Sequence, residues 1–246
     1  MPERRVRRPL HRRVLAQLAS LDGAFLMECR CYFGGGTRIV LELDEYRESR
    51  DIDFLCADRD GYRRLRETVS EASLGAIAKV SLRLSREVRA DQYGIRTRLG
   101  EGESALKFEV IREARIELSG IRQRGIPTVC LDRTSAFAEK FLANADRGLD
   151  RSTLSRDAVD LAFMIQGWGA ELASAGVAIA RTAYGAVVDR KLREVIDLLR
   201  DDRAYRARCV DAMAIEDTKT LAQGLDRLLK TIVQQQARPV RGRGQK

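Results

Sequence analysis

The sequence holds one histidine, His11, and five scattered cysteines at positions 29, 31, 56, 130 and 209. Without a second imidazole or a CxxC pair, neither a zinc site nor a disulfide framework is expected, and a reducing cytoplasm fits. The lone histidine also removes the usual general base of Ser-His-Asp and Cys-His catalysis. Aromatic residues make up only 6% and follow no RNP-type pattern, so base stacking has little support. No apolar run approaches the ~20 residues of a membrane span, and the N-terminus lacks the apolar stretch of a secretory signal. No membrane partner is expected. Lysine is scarce as well, with seven against 38 arginines.

The 246 residues are 44% hydrophobic and 33% charged. That composition predicts a soluble globular chain of one large domain or two modest ones. The formal charge of +9 is unevenly placed. Residues 1–13 carry six arginines and one glutamate, and Arg238, Arg241, Arg243 and Lys246 lie near the other end. The body between these arms is neutral overall, so a basic isoelectric point does not by itself describe a basic surface.

Hydrophobic spacing predicts a helix from about Leu10 to Ser20. Cys29 to Phe33 reads as a strand entering the turn Gly34-Gly35-Gly36, followed by a brief helix over Thr37–Leu43. Asp51–Cys56 reads as a strand and Arg59–Glu71 as an amphipathic helix. Tyr93, Ile95, Thr97 and Leu99 alternate with polar residues, and Leu106, Phe108 and Val110 do so after the turn Gly100–Glu103. This is a hairpin pattern. Ile126–Leu131 is a last short strand. From Asp132 onward the pattern is helical, with breaks near Gly148, Gly167–Gly169 and Gly176, and with Asp132 and Ser155 as N-cap candidates. The expected organisation is a basic arm over 1–13, an α/β domain over 14–131, a helical domain over 132–233 completing the active-site cleft, and a basic tail over 234–246.

One constellation carries chemistry. Asp51 and Asp53 lie two apart on a predicted strand, so both side chains leave one face. Two adjacent carboxylates repel and lose hydration unless a cation joins them. Mg²⁺ is the natural cation for carboxylate oxygens together with phosphates. Gly35 and Gly36 allow close approach of backbone N–H donors to a phosphate, and Thr37 offers a cap or a hydroxyl. Glu109, among apolar residues of another predicted strand, is the candidate third carboxylate of a metal site for nucleotidyl transfer. Lys140, Asn144 and Arg147 fall on one helical stripe opposite Phe137, Phe141 and Leu142. Such a stripe is either functional or a solvated face. Asp157 and Asp160, one turn apart, either hold Lys140 or Arg147 or pair with Arg156 on the surface.

Gly35-Gly36-Thr37 followed by Arg47-x-Ser49-x-Asp51-Ile52-Asp53-Phe54 resembles the signature of the AbiEii/AbiGii-type nucleotidyltransferase toxins, a branch of the DNA polymerase β-like superfamily. Ala138-Glu139-Lys140, Arg147 and Arg156-Asp157-Ala158-Val159-Asp160-Leu161 resemble its later motifs. The resemblance covers roughly Phe33 to Met164. It implies an α+β nucleotidyltransferase fold, a mixed β-sheet with flanking helices followed by a helical domain. It implies Mg²⁺-dependent transfer of a nucleoside monophosphate from an NTP to a hydroxyl acceptor, RNA such as tRNA in some members. It also implies a toxin role, in a toxin–antitoxin or phage-defence system, with a separate antitoxin as partner. Asp51, Asp53 and Glu109 are the expected catalytic residues and metal ligands, Glu109 polarising the incoming hydroxyl as third ligand or base. Gly35, Gly36, Thr37, Arg47, Ser49, Lys140, Arg147, Asp157 and Asp160 are the expected nucleotide-site residues, Lys140 also counting as catalytic. The sequence departs from the family pattern at Tyr46, where a histidine is common, at Arg38, where a small residue is usual, and in the longer 147–156 loop. Two rival readings stand beside this one: a non-catalytic nucleic-acid-binding protein using its basic arms, and a nucleotidyltransferase acting on a small molecule such as an aminoglycoside.

Overall fold

A computed structural model describes residues 6–236. The outer parts of both basic arms, residues 1–5 and 237–246, lie outside the described residues. Two compact units are formed. One takes in the chain up to Ala136 together with Val210–Glu216, and the other takes in Phe137–Cys209 and the chain from Asp217. The return of 210–216 to the first unit is a long-range event that no local pattern announces.

The first unit begins with α1 (Pro9–Ala19) and α2 (Gly23–Glu28). Pro9 suits the first helical turn, where its missing N–H has no partner to lose. The Asp22 carboxylate accepts the Ala24 and Phe25 N–H groups, both at 3.0 Å, which starts α2. Next come β1 (Cys31–Phe33), α3 (Gly35–Glu42), β2 (Ile52–Cys56), α4 (Arg59–Thr68), β3 (Leu84–Ala90), β4 (Gly94–Leu99), β5 (Leu106–Arg112), β6 (Gly120–Arg122) and β7 (Val129–Leu131). The seven strands form one sheet in the order β3-β4-β5-β2-β1-β7-β6. β2 runs parallel to β5 and antiparallel to β1, and β1 runs parallel to β7, so the sheet is mixed.

Strand alternation gives the sheet two unlike faces. Ile52 and Phe54 of β2, Phe108 and Val110 of β5, and Ile95 and Leu99 of β4 enter one buried apolar cluster with Val14 and Leu18 of α1. Phe54 lies between Phe33 and Phe108, at centroid distances of 5.6 and 6.0 Å. The five cysteines are free and buried, as packing groups would be. The polar residues between the core positions therefore share the opposite face.

The second unit is helical. α5 (Arg133–Arg147) is capped by the Asp132 carboxylate, which accepts Ser135 N–H at 2.8 Å. α6 (Arg156–Trp168), α7 (Ala170–Tyr184), α8 (Val187–Asp201), α9 (Arg203–Ala212) and α10 (Thr218–Gln236) follow, α9 running on into the returning segment. Leu161, Met164, Leu192, Val195, Leu225 and Leu228 are buried in its core. Among the described residues, no helix is long and apolar enough to cross a membrane.

Several local expectations are corrected. Residues 6–13 are not a free arm, because α1 starts at Pro9 and the Arg7 and Arg8 N–H groups reach Glu45 at 2.6 and 2.9 Å. No break occurs at Gly176, which is buried within α7. Tyr93 lies outside the strand and is exposed, because Asp91 accepts the Tyr93 and Gly94 N–H groups and makes a turn there. Ser155 precedes α6 but its hydroxyl does not cap it; it meets Tyr205 Oη at 2.9 Å instead. α2, β3 and β6 are too short or too polar to stand out in the sequence.

At Gly224 of α10 a β-carbon would overlap the Ala162 backbone of α6. Gly224→Ala should therefore destabilise the chain by about 1–3 kcal/mol through overpacking. Urea unfolding of the variant beside wild type measures this, with a lower midpoint expected.

Candidate active site

The first half of the predicted site is built around the turn between β1 and α3. Gly34 N–H donates to the Asp53 carbonyl at 2.8 Å, which ties the glycine turn to β2. Gly35 has a φ of +66°, and a β-carbon there would overlap the Asp53 carboxylate. Glycine is thus required twice, by the backbone angle and by the acid lying against it. Asp51 immediately precedes β2, so it shares the polar face with Asp53.

Thr37 is buried, and its hydroxyl meets Ser49 Oγ at 2.8 Å. The Ser49 N–H donates to His11 Nε2 at 3.2 Å, and His11 Nδ1 lies 2.7 Å from Glu45 Oε1. Because Nε2 accepts, the ring proton sits on Nδ1 and points at Glu45. Burial pushes the His11 pKa down, against the pull of Glu45, and so favours the neutral ring this arrangement needs. The Glu48 N–H finds its acceptor in Met213 O at 2.9 Å, in the returning segment. Arg47 is buried, donates to the Glu48 carbonyl at 2.8 Å and lies over Tyr46. The loop carrying Arg47, Ser49 and Asp51 is therefore held by groups far away in sequence.

Glu109 pairs in register with Asp53 on the neighbouring strand. It is not a solitary acid: Arg96 Nε and Lys107 Nζ each reach it at 2.6 Å. Burial would raise its pKa, but Lys107 and Arg96 outweigh that and hold it below the usual carboxylate range. The Lys107 ammonium would be disfavoured by burial, yet the hydrogen bond to Glu109 and the charges of Glu109, Asp53 and Asp51 raise its pKa. Lys107 is thus a cation placed among all three predicted acids. Reading the sequence for acids passed over it, although its spacing of two from Glu109 on a strand already puts both on one face.

Among the described residues, no three His, Cys, Asp or Glu side chains stand gathered for a metal ion. The donor chemistry nonetheless fits a hard divalent cation. Carboxylate oxygens are the preferred ligands, Asp53 rests in a cradle that a β-carbon would fill, and an ammonium already stands among the acids. Asp51 and Asp53 form the fitting pair. Both Glu109 oxygens are engaged, Oε1 by Arg96 and Oε2 by Lys107.

The second group of predicted residues lies in the helical unit. Lys140 Nζ contacts Asp157 Oδ1 at 2.8 Å and Asp160 Oδ2 at 2.6 Å. Arg147 grips Asp157 with Nε at 2.8 Å and a terminal nitrogen at 3.1 Å. Lys140, Asn144, Asp157 and Asp160 are buried, so the stripe is solvated only at exposed Arg147. The open question of what Asp157 and Asp160 hold is answered by Lys140 and Arg147. Desolvation alone would raise the Asp157 pKa, but the two cations bring it down to about 2.

A carboxylate with so low a folded pKa stabilises the fold above its unfolded value near 3.8, and the contribution is lost as pH falls toward 2. Asp157→Asn should cost about 3 kcal/mol at neutral pH by leaving the buried Lys140 ammonium underpaired. The gap from wild type should narrow as pH drops below about 4. Thermal melts of both proteins across that range provide the check.

A family model described as "Nucleotidyl transferase AbiEii toxin, Type IV TA system" matches residues 18–238. Two solved structures from Helicobacter pylori share the fold. One, described as a "putative nucleotidyltransferase", superposes with a TM-score of 0.55 at 16% identity, over 92% of this chain and 96% of the other. The second, JHP933, gives a TM-score of 0.52 at 14% identity, over 92% and 94%. No curated protein sequence matches the chain. The α+β architecture of the chain, a mixed seven-stranded sheet with flanking helices, is the fold these structures share. With nearly the whole chain matched, it belongs to the AbiEii family of nucleotidyltransferase toxins of type IV toxin–antitoxin systems.

Proposed function

We propose that the chain moves a nucleoside monophosphate from an NTP to a hydroxyl of an RNA acceptor, with Mg²⁺ as cofactor, and acts as a toxin restrained by a cognate antitoxin. The supporting observation is the construction of the glycine turn and Asp53 as one unit, the carboxylate lying against Gly35 while Gly34 N–H is tied to β2. A phosphate-approaching backbone and a metal-holding carboxylate are needed side by side in this chemistry.

In this reading Asp51 and Asp53 would hold Mg²⁺, with Glu109, now engaged by Lys107 and Arg96, as the third carboxylate. Bound there, the ion supplies Lewis acidity at the α-phosphate and offsets the charge of the departing pyrophosphate. Gly35 and Gly36 present backbone donors to the triphosphate. Thr37 and Ser49, joined by their hydroxyls, fix the turn and the acid loop to one another. Glu109, in register with Asp53, orients the acceptor hydroxyl, whose proton passes to solvent. The acceptor oxygen bonds to the α-phosphorus as the bond to pyrophosphate breaks. The family motif assigns Lys140 and Arg147 to the nucleotide; within the helical unit Lys140 is held between Asp157 and Asp160, and Arg147 closes on Asp157.

Incubation with each labelled NTP, Mg²⁺ and total RNA tests the reading. Wild type should label RNA, and Asp53→Asn should lose at least about a hundredfold of that rate through loss of charge stabilisation. Equal labelling by the two proteins would falsify the assignment.

A further inference from the structure

The neutral total charge of the body conceals a segregation on the sheet. Register places β2, β5, β4 and β3 side by side in that order. Cross-strand partners on one face form two rows. In one, Arg89 pairs with Arg96, Arg96 with Glu109, and Glu109 with Asp53. In the other, Arg86 pairs with Arg98 and Arg98 with Lys107, which the parallel register sets beside Asp51. Irregularities in β3 between Leu84 and Arg86, and between Arg86 and Arg89, bring both arginines onto this face while Val88 stays buried. Arg86, Arg89, Arg98 and Lys107 are exposed and Arg96 is half-buried. The acids among them are Glu109 and Asp91, both engaged by Arg96, and exposed Glu87 on β3. Arg98 also donates to the Ala105 carbonyl at 2.9 Å.

We propose that this face of β5, β4 and β3 is the track on which the RNA acceptor lies, its phosphates on Arg86, Arg89, Arg96 and Arg98 and its reacting end toward Asp51 and Asp53. The proposal rests on the nucleotidyl-transfer reading and specifies how that site meets its acceptor. Charge complementarity selects a polyanion. Continuity of both rows with the acid pair selects a polyanion whose own hydroxyl undergoes the reaction, rather than an acidic protein. Strands spaced about 4.8 Å apart make the three steps from β2 to β3 about 14 Å, enough to grip several consecutive nucleotides. Guanidinium contacts to phosphate position a strand without reading its sequence. The scarcity of aromatics on this face agrees with backbone recognition.

Binding of a 5′-labelled single-stranded RNA, followed by fluorescence anisotropy without NTP, tests the track. The triple variant Arg86→Ser, Arg89→Ser, Arg98→Ser should bind about tenfold more weakly or worse than wild type. Its affinity should also depend less steeply on salt, by about 2 in logarithmic slope between about 50 and 200 mM. The corresponding triple lysine variant should recover most of the affinity, and circular dichroism should report both variants folded. Wild-type affinity and slope in the serine variant would overturn the proposal. So would failure of the lysines to restore binding, or loss of affinity only on removing residues 238–246. Loss of binding to an acidic protein partner with RNA affinity intact would overturn it in favour of a protein interface. Transfer by wild type and Asp53→Asn is read in parallel. Transfer that depends on Asp53, with RNA affinity unchanged in the serine variant, fails the track alone. Reduced RNA affinity in the serine variant, with no transfer by wild type, fails the catalytic reading alone.

Discussion

The contact on which the first unit depends is between Gly35 and the Asp53 carboxylate. A left-handed backbone at the mouth of α3 lets the acid lie directly on the turn. Several features of the unit keep these two groups together. Gly34 N–H is anchored to the Asp53 carbonyl, and β1 and β2 are zipped antiparallel behind it. Phe33, Phe54 and Phe108 fill the space beneath, so the strands cannot slip without exposing three aromatic rings. The catalytic assignment is thus supported by packing on one face of the sheet and by polar chemistry on the other.

The two cationic clusters solve a shared electrostatic problem in different ways. In the helical unit, buried Lys140 sits between Asp157 and Asp160, and exposed Arg147 closes on Asp157. Buried pairs of this kind add little net stability, but they fix which atoms face which, because a missing partner leaves an uncompensated charge. On the sheet, Lys107 is exposed and in contact with Glu109. With its cation exposed, such a pair is screened by salt and open to competing ions. One lysine is therefore a structural fixture, and the other is a cation that can be displaced.

Much of the fold was legible because its signals are local. The alternation of Ile95, Thr97 and Leu99, the N-cap at Asp132 and the glycine turn before α3 each reflect the preferences of a few neighbouring residues. The acid pair was legible for the same reason: two carboxylates two apart on a strand share a face. What stayed hidden depends on distant partners. Nothing near His11 indicates that it would meet Glu45 and Ser49 in the interior. Arg47 reads as a free cation in sequence and is buried against Tyr46 in the structure. The basic track was missed for another reason. Its arginines occupy the solvent positions of hairpin strands, where charge is ordinary, and only the register aligns them into rows.

The acceptor for the Glu48 N–H lies at Met213, and Arg8 donates to the carbonyl of Ala214 in the same returning segment. The loop that carries the acid pair is therefore closed by a segment far along the chain, and a fragment ending before that segment would hold every motif residue yet lack the contacts that shape the loop.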